Sequence, residues 1–228
     1  MNKEEIVESL ATITILFDEP LMNYTFTKTG GPADVLAFPK KQEEVKQIID
    51  YCRIHDIPWM VLGNASNLIV QDGGIRGVVI MLTEMKQIHV KGTMVIAEAG
   101  ASLIDTTYAA LAESLTGFEF ACGIPGSVGG AVYMNAGAYG GEIKDVFAEV
   151  DLLLEDGTLK TLTKDEMVFS YRHSKVQELR AIVLEARFSL QTGDYEAIKA
   201  RMDELTELRQ SKQPLEYPSC GSVFKRPV

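Results

Sequence analysis

The chain has 228 residues, of which 46% are hydrophobic and 24% charged, a composition typical of a globular protein. This excludes collagen, coiled coil and disorder for the chain as a whole, and the length permits a core that needs no disulfides. The formal net charge of −10 argues against general nucleic-acid binding, because an acidic surface repels the phosphate backbone.

A helix near residues 42–55 is the first element that the sequence predicts clearly. Its apolar residues fall three and four positions apart, on one stripe formed by Val45, Ile48, Ile49 and Cys52. Short apolar runs at 59–62, 68–70 and 78–82 then predict strands joined by tight turns. A helix followed by strands indicates an α/β or α+β layer arrangement.

The rest of the chain alternates strands and helices. Ser102 and Asp105 resemble a capping box, which predicts a helix over 103–115. The other predicted elements are two strands within 88–99, a hairpin at 150–162 around Asp156-Gly157, a period-two strand over 182–190, an amphipathic helix over 194–212 and a loop-like tail at 213–228.

The segment 62–68 is the first candidate binding loop. Its small residues leave backbone N–H groups uncovered, as in a backbone nest around a diphosphate, and Ser66 and Asn67 add side-chain donors. An ordinary tight turn explains the same composition. Both interpretations stay open at this point.

A glycine-rich segment is the second candidate. Between Gly117 and Gly141 there are 8 glycines in 25 residues, against only 11 in the remaining 203. Such a backbone can approach a flat ligand or a phosphate without side-chain interference. Close packing of backbone on backbone is the alternative explanation.

Basic residues concentrate near the end of this acidic chain. From Leu205 to Val228 four cations face two acids, and Arg172 lies beside His173 and Lys175. Both groups suit substrate carboxylates and phosphates, although solvated surface charge explains either one alone. Ser222 has no sequence-adjacent base, so it is not an obvious hydrolytic nucleophile, and Cys220 is a rival or an inert thiol.

No other chemistry is indicated by the motifs. Nucleotide fingerprints and zinc spacings are absent, and the three histidines lie far apart, so no metal site is expected. The three cysteines form no CxxC pair, and no apolar run reaches the roughly 20 residues that span a bilayer. We therefore expect a cytoplasmic monomer that has no nucleic-acid or membrane partner.

Several strings together resemble the UDP-N-acetylenolpyruvoylglucosamine reductase family, in its shorter, Gram-positive-type subgroup. They occur in the family's order and cover most of the chain: 23–26, 29–34, 62–70, 123–141, 171–174, 209–214 and 221–227. The resemblance implies an α+β, FAD-binding fold of the vanillyl-alcohol-oxidase (PCMH) type. It further implies two FAD-binding subdomains at 1–83 and 84–192, and the start of a substrate-binding domain at 193–228.

The resemblance also implies that both candidate loops bind non-covalent FAD. Ala65 stands where the family often has glycine, which keeps the side chain small. The implied cofactor-binding residues are Leu62, Gly63, Asn64, Ala65, Ser66, Asn67, Gly123, Ile124, Pro125, Gly126, Ser127, Gly129, Gly130, Asn135, Gly137, Ala138 and Tyr139.

The implied reaction has two halves, in which NADPH reduces FAD and the reduced flavin delivers hydride to the enolpyruvyl β-carbon of UDP-N-acetylglucosamine enolpyruvate. Arg172 matches the arginine that stabilises the developing negative charge. Ser222 matches the serine that then protonates the α-carbon. The implied substrate-binding residues are Tyr171, Arg209, Lys212, Lys225 and Arg226.

The sequence departs from the family at its end. The family also uses a glutamate after the serine motif, and the sequence given stops six residues after Ser222. If this form is complete, we expect FAD binding to survive and reductase activity to be severely reduced. Two other readings are a non-catalytic nucleotide or flavin binder and an oxidase of another alcohol or sugar, and Ser222→Ala distinguishes the first of these from an enzyme.

Overall fold

A computed structural model describes residues 2–213 and 215–221, and its architecture is two β-sheets with helices packed on them. The strands are β1 Thr14–Pro20, β2 Pro32–Phe38, β3 Trp59–Leu62, β4 Ile75–Met81, β5 Ile88–Lys91, β6 Met94–Glu98, β7 Leu115–Thr116, β8 Gly137–Ala138, β9 Gly141–Glu142, β10 Phe147–Leu153, β11 Leu159–Thr163, β12 Ile182–Ser189 and β13 Gln191–Thr192. The helices are α1 Lys3–Ser9, α2 Gln42–Ile54, α3 Leu103–Ala112, α4 Val128–Tyr133, α5 Ile143–Val146, α6 Val176–Leu179 and α7 Tyr195–Lys212.

The first sheet has four strands in the order β1-β2-β4-β3. The β1–β2 pair is antiparallel, whereas β2 and β3 each run parallel to β4. Helix α2 connects β2 to β3, and the loop of residues 63–74 connects β3 to β4, so both parallel pairs have the long connections that they need. Helix α2 buries the stripe expected from the sequence, including Val45, Ile48 and Cys52.

The second sheet has five antiparallel strands in the order β11-β10-β12-β6-β5. Strand β12 alternates as predicted, with Leu184, Ala186 and Phe188 fully buried and Ser189 exposed. Helix α3 begins where the sequence indicated, because the Ser102 hydroxyl accepts the Asp105 N–H at 3.2 Å. It ends earlier than expected, since Leu115 has left the helix to pair in β7.

Most of the predicted elements are confirmed, including α2, the β10–β11 hairpin and α7, which Asp194 caps. The strand predicted at 68–70 is wrong, because residues 63–74 form one loop between β3 and β4. Val70 is apolar for another reason, since it is buried in the small core cluster beneath this loop. The elements α1, β1 and β2, which precede residue 42, were not predicted.

Helix α7 packs against the loop that precedes α4. Its buried residues Ile198, Met202 and Leu205 form a cluster with Leu111 and Cys122. Each such side chain contributes about 1.5–3 kcal/mol when fully buried, which is enough to fix the helix there. None of the helices in residues 2–213 and 215–221 is long and apolar enough to cross a membrane. The division of the chain at residues 83 and 192 stays a prediction.

Candidate functional site

Two loops, one from each sheet, lie in close contact with each other. The first loop, residues 63–74, leaves the end of β3, and the glycine-rich loop, residues 123–130, leads into α4. A Cβ at Gly63 would lie 1.9 Å from Ser127 Oγ, and Asn64 Nδ2 donates to the Pro125 carbonyl at 3.5 Å. The structure therefore brings together two segments that the sequence separated by some sixty positions.

The first loop contains a run of backbone amides that have no hydrogen-bond acceptor in the described part of the protein. Among the described residues, none accepts a hydrogen bond from the N–H groups of residues 64–67, although Ala65 is buried. Its carbonyl accepts the Phe26 N–H at 3.2 Å, which holds the loop in place. Successive backbone amides that have no acceptor in this part of the chain are suited to an anion such as a diphosphate.

Ala65 has a left-handed backbone, with φ of 45°. A glycine adopts this conformation without steric cost, which explains why a glycine suits this position. Leu62 differs from its neighbours, because its side chain is buried in the small core cluster. Any contact that Leu62 makes with a cofactor is left to its backbone.

The glycines of the second loop serve two different purposes. At Gly129 a Cβ would lie 2.9 Å from the Ala99 Cβ, so this glycine permits close packing of α4 on the second sheet. At Gly126 a Cβ would meet only Ser66 Oγ at 3.8 Å and Ile124 Cγ2 at 4.0 Å. Internal packing therefore requires Gly129 but not Gly126, and Gly126 leaves space at the junction of the loops.

A cleft of about 230 Å³ opens beside this junction. It is lined by Asn64, Thr83, Lys86, Ile88, Gly100, Ser102, Asp105 and Ser127. Loop amides that have no acceptor within residues 2–213 and 215–221, an open glycine and one lysine next to this cleft fit the diphosphate of a dinucleotide. Lys86 was not predicted, and no sequence pattern marked it.

A tight hairpin follows α4 and carries three of the predicted residues. Strands β8 and β9 pair Gly137 with Glu142, and the turn between them consists of Tyr139 and Gly140, with φ of 53° and 89°. Two positive φ values identify a type I′ turn, which matches the twist of a hairpin. Tyr139 is exposed at its tip, and Ala138 is half-buried.

Arg172 lies at the tip of a second tight turn. Ser170 and His173 exchange two backbone hydrogen bonds of 3.1 Å, which leaves Tyr171 and Arg172 between them. Arg172 has φ of 56°, and its Nη2 donates to the Gly137 carbonyl at 3.1 Å. The guanidinium also lies 5.2 Å from the centre of the Tyr171 ring, so both predicted residues are presented together.

Two polar residues that the sequence analysis did not single out, the buried Ser174 and the half-buried Gln177, support this turn. The Ser174 hydroxyl donates to the Tyr133 carbonyl at 2.8 Å, and Gln177 Nε2 donates to the carbonyls of Tyr133 and Arg172. These contacts tie the turn to the end of α4. They depend on tertiary structure, and no local pattern announces them.

Glu142 is an acidic residue whose carboxyl group is influenced by the charge of Arg172. Its hydrogen bond with Lys144 lowers the pKa of the Glu142 carboxyl, and so do the Asn135 amide and the charges of Lys144 and Arg172. Lys144 Nζ lies 2.7 Å from Glu142 Oε2. Glu142 therefore remains a carboxylate beside a cationic site.

The helix α7 brings one predicted substrate residue to the glycine-rich loop. A Cβ at Gly123 would lie 2.9 Å from Arg209 Cδ, so the half-buried arginine stem rests on this glycine. Lys212 is exposed in the last turn of the helix. Ser222, Lys225 and Arg226 lie outside the described residues. Within residues 2–213 and 215–221, no three His, Cys, Asp or Glu side chains group as a metal site would require.

Comparison with known proteins gives the same picture for most of the chain. The family model described as "FAD binding domain" matches residues 33–163, which include both loops. The UDP-N-acetylenolpyruvoylglucosamine reductase of Enterococcus faecalis is 70% identical over 228 residues, covering 100% of this chain and 76% of that protein.

Solved structures extend the comparison. The chain is similar to UDP-N-acetylenolpyruvylglucosamine reductase from Thermus caldophilus, with a TM-score of 0.79, 34% identity and coverage of 94% of this chain and 75% of that one. Cholesterol oxidase from Brevibacterium sterolicum shares the fold alone, with a TM-score of 0.61, 16% identity and coverage of 80% and 38%.

Proposed function

The chain belongs to the UDP-N-acetylenolpyruvoylglucosamine reductase family, and from this premise we propose how its residues perform the reaction. The FAD-binding fold of the PCMH type is confirmed. The protein is an FAD-dependent, NADPH-oxidising reductase. It converts UDP-N-acetylglucosamine enolpyruvate to UDP-N-acetylmuramate during peptidoglycan precursor synthesis.

We assign the FAD diphosphate to the junction of the two loops. The observation that carries this assignment is the set of amides of residues 64–67, which have no acceptor among the described residues and belong to the loop whose Ser66 lies beside the open position of Gly126. Backbone N–H groups can bind phosphate without basic side chains, which is consistent with the net negative charge of this chain. The hairpin residues Gly137, Ala138 and Tyr139 are assigned to the same cofactor by the family resemblance.

When bound, FAD supplies the redox chemistry, carrying two electrons from NADPH to the enolpyruvyl group. Arg172 stabilises the negative charge that develops on the substrate's α-carbon and carboxylate, as a preorganised cation does. Ser222 then donates its hydroxyl proton to the α-carbon. Tyr171, Arg209, Lys212, Lys225 and Arg226 bind the carboxylate and diphosphate of the substrate.

A visible absorption spectrum, recorded before and after denaturation, tests the cofactor assignment. We expect the native protein to show a flavin spectrum, and the flavin to separate from the protein on ultrafiltration after unfolding. A colourless protein that takes up no added FAD contradicts it. NADPH oxidation that depends on UDP-N-acetylglucosamine enolpyruvate then separates a reductase from a flavin-binding module, and oxygen consumption with other alcohols or sugars tests for an oxidase.

The catalytic roles are tested by Arg172→Ala and Ser222→Ala. Each is expected to retain FAD and to be reduced by NADPH, yet to lose turnover of the enolpyruvyl substrate. Wild-type turnover in either variant removes that residue from the mechanism. A monomeric state stays a prediction, for which size-exclusion chromatography with light scattering is the measurement, and a cytoplasmic location follows from the proposed use of NADPH.

A further inference from the structure

Asn135 is a fully buried residue whose amide donors are both used inside the protein. Its Nδ2 donates to Glu142 Oε2 and to the Ser170 carbonyl, each at 2.9 Å. Its Oδ1 accepts the Lys144 N–H at 3.0 Å. An amide has two N–H groups, so no donor remains for a ligand. The role of the Asn135 side chain must therefore be sought in what it connects.

The two acceptors of Asn135 belong to the two segments that determine where Arg172 lies. Ser170 begins the tight turn that carries Arg172. Glu142 is paired with Gly137, whose carbonyl receives the Arg172 guanidinium at 3.1 Å. One amide thus joins the turn that carries the cation to the hairpin on which the cation rests.

The backbone at Asn135 is itself adapted to this connection. Its φ is 41°, in the left-handed region that asparagine tolerates better than most residues. From its position just after α4, the Asn135 side chain contacts Glu142 and Ser170. Alanine at this position would lose all three hydrogen bonds and accept a strained backbone.

We propose that Asn135 is a positioning residue for Arg172, which sets the spacing between the 170–173 turn and the β8–β9 hairpin and so fixes the guanidinium against the substrate. This inference rests on the proposed role of Arg172. The contact between Asn135 and the cofactor that the family resemblance implied stays a prediction, and because both side-chain donors are used it concerns the other atoms of the residue. A displacement of about 1 Å at a reacting group can cost on the order of a hundredfold in rate, so the spacing matters.

Two variants, Asn135→Asp alone and Asn135→Asp combined with Glu142→Gln, separate this role from simple structural support. Asn135→Asp removes both donors and places a carboxylate against Glu142 and the Ser170 carbonyl. Adding Glu142→Gln restores the 135–142 hydrogen bond with the donor on the other side. The double variant still lacks the donor to Ser170, so it repairs the hairpin but leaves the turn unheld.

The two half-reactions of the FAD-loaded enzyme give the readout. Flavin reduction by NADPH and flavin reoxidation by the enolpyruvyl substrate are followed separately by absorbance, together with thermal unfolding. Glu149→Gln is the control, because it breaks an ion pair of the second sheet that is not part of this turn. The Glu149 Oε1 atom lies 3.2 Å from Arg187 Nη1. This variant is expected to leave both half-reactions unchanged.

We expect Asn135→Asp to lower the melting temperature and to slow reoxidation by about tenfold to a hundredfold, with NADPH-dependent reduction within about twofold of wild type. The double variant is expected to recover most of the melting temperature while reoxidation stays slow. In an Arg172→Ala background, Asn135→Asp is expected to slow reoxidation little further, because the guanidinium that Asn135 positions is gone. If Asn135→Asp does not fold, the double variant provides the comparison.

Recovery of reoxidation together with the melting temperature in the double variant overturns the inference, because it leaves a structural role only. If Asn135→Asp slows reoxidation by the same factor in the Arg172→Ala background as in the wild type, the inference is overturned as well. If Arg172→Ala is impaired but the double variant reoxidises like wild type, this inference fails alone. If Arg172→Ala reoxidises at the wild-type rate, the proposed role of Arg172 fails and takes this inference with it.

Discussion

Gly63 lies so close to Ser127 that a Cβ at position 63 would be 1.9 Å from the serine Oγ and 2.9 Å from its Cβ. This contact joins the end of β3 in the first sheet to the N-cap of α4 on the second. The Ser127 hydroxyl also accepts the Gly130 N–H at 3.3 Å, so rotating it away would uncap α4. A glycine therefore sets the gap between the two loops.

Gly63→Ala is expected to destabilise the protein even without FAD. Rotation of Ser127 would cost the N-cap, about 1 kcal/mol, and the clash with its Cβ would remain. Thermal unfolding of the apoprotein measures this loss. Ser127→Gly removes both clashing atoms and leaves an acceptable N-cap, so the double variant is expected to regain stability. A Gly63→Ala variant that melts like wild type contradicts the contact.

Gly126→Ala is expected to behave in the opposite way. The added Cβ has room among the protein atoms, so the apoprotein is expected to melt at the wild-type temperature. The methyl group would enter the space assigned to the cofactor, and we expect the Kd for FAD to rise by about tenfold or more, which corresponds to about 1.4 kcal/mol.

Gly73→Ala is the matched control for this experiment, since a Cβ there meets no atom within 4 Å. It is expected to change neither the melting temperature nor the Kd. Wild-type FAD affinity in Gly126→Ala would show that the glycine-rich loop does not approach the cofactor at this point.

Arg209→Ala is expected to weaken substrate binding while α7 stays folded. The arginine stem rests on Gly123, which places its guanidinium at the edge of the glycine-rich loop. Loss of one charge-assisted hydrogen bond of about 1.5–3 kcal/mol predicts a rise of roughly tenfold to a hundredfold in KM, with a smaller change in kcat. Arg201→Ala is the control, because Arg201 lies on the same helix and pairs with the exposed Glu204. Equal KM values in both variants contradict the assignment.

The sequence anticipated the two loops but not the contact between them. Glycine content marked residues 123–130, yet the same composition covers two roles, and only the tertiary structure distinguishes Gly129, which packs on Ala99, from Gly126, which faces open space. Asn135 shows the same limit. Its partners Glu142 and Ser170 lie 7 and 35 positions away, so no local pattern indicates that its amide is fully used.

Local patterns also failed where a strand or loop is buried on both sides. In strand β2, which lies between β1 and β4, the consecutive residues Val35, Leu36 and Ala37 are all buried, so the strand has no polar-apolar alternation to read. Val70 looked like part of a strand because it is apolar, but it packs into the cluster under the first loop. In both cases burial, rather than strand periodicity, determined the residue type.

Glu142→Gln is expected to make stability less sensitive to acid. The Lys144 hydrogen bond, followed by the Asn135 amide and the nearby cations, lowers the pKa of Glu142 in the folded state. Because the pKa is lowered in the folded state, the Glu142 carboxylate stabilises the protein at pH values above its unfolded-state pKa of about 4.3. This stabilisation is lost as the pH falls through the folded-state pKa. Urea unfolding between about pH 7 and pH 3 measures this difference.

The free energies of unfolding of wild type and Glu142→Gln are expected to differ most near neutral pH and to converge in acid. Other carboxyls, including Asp50 and Glu178, also have lowered pKa values through lysine partners, so both proteins still lose stability on acidification. Only the difference between the curves reports Glu142. Parallel curves across the whole range would contradict its ionisation in the folded state.

Thiol labelling is expected to select Cys220. Burial raises the pKa of Cys52 to about 12 and also raises the pKa of Cys122, whose thiol contacts the Met202 carbonyl at 3.5 Å. At pH 8 a thiol of pKa 12 is ionised in about one molecule in 10,000, and only the thiolate reacts. Cys220 is partly exposed, so mass spectrometry should find the label there in the native protein and on all three cysteines after unfolding.

Cys220→Ser connects this labelling to the mechanism. If the proton donor is Ser222, the variant keeps substrate turnover and loses only the native label, because the thiol takes no part in the reaction. If Cys220→Ser abolishes turnover with FAD still bound, the proton donor has been assigned to the wrong one of two neighbouring residues. Since both variants change a side chain by few atoms, comparing Cys220→Ser with Ser222→Ala separates the two candidates without disturbing the two loops or the turn that carries Arg172.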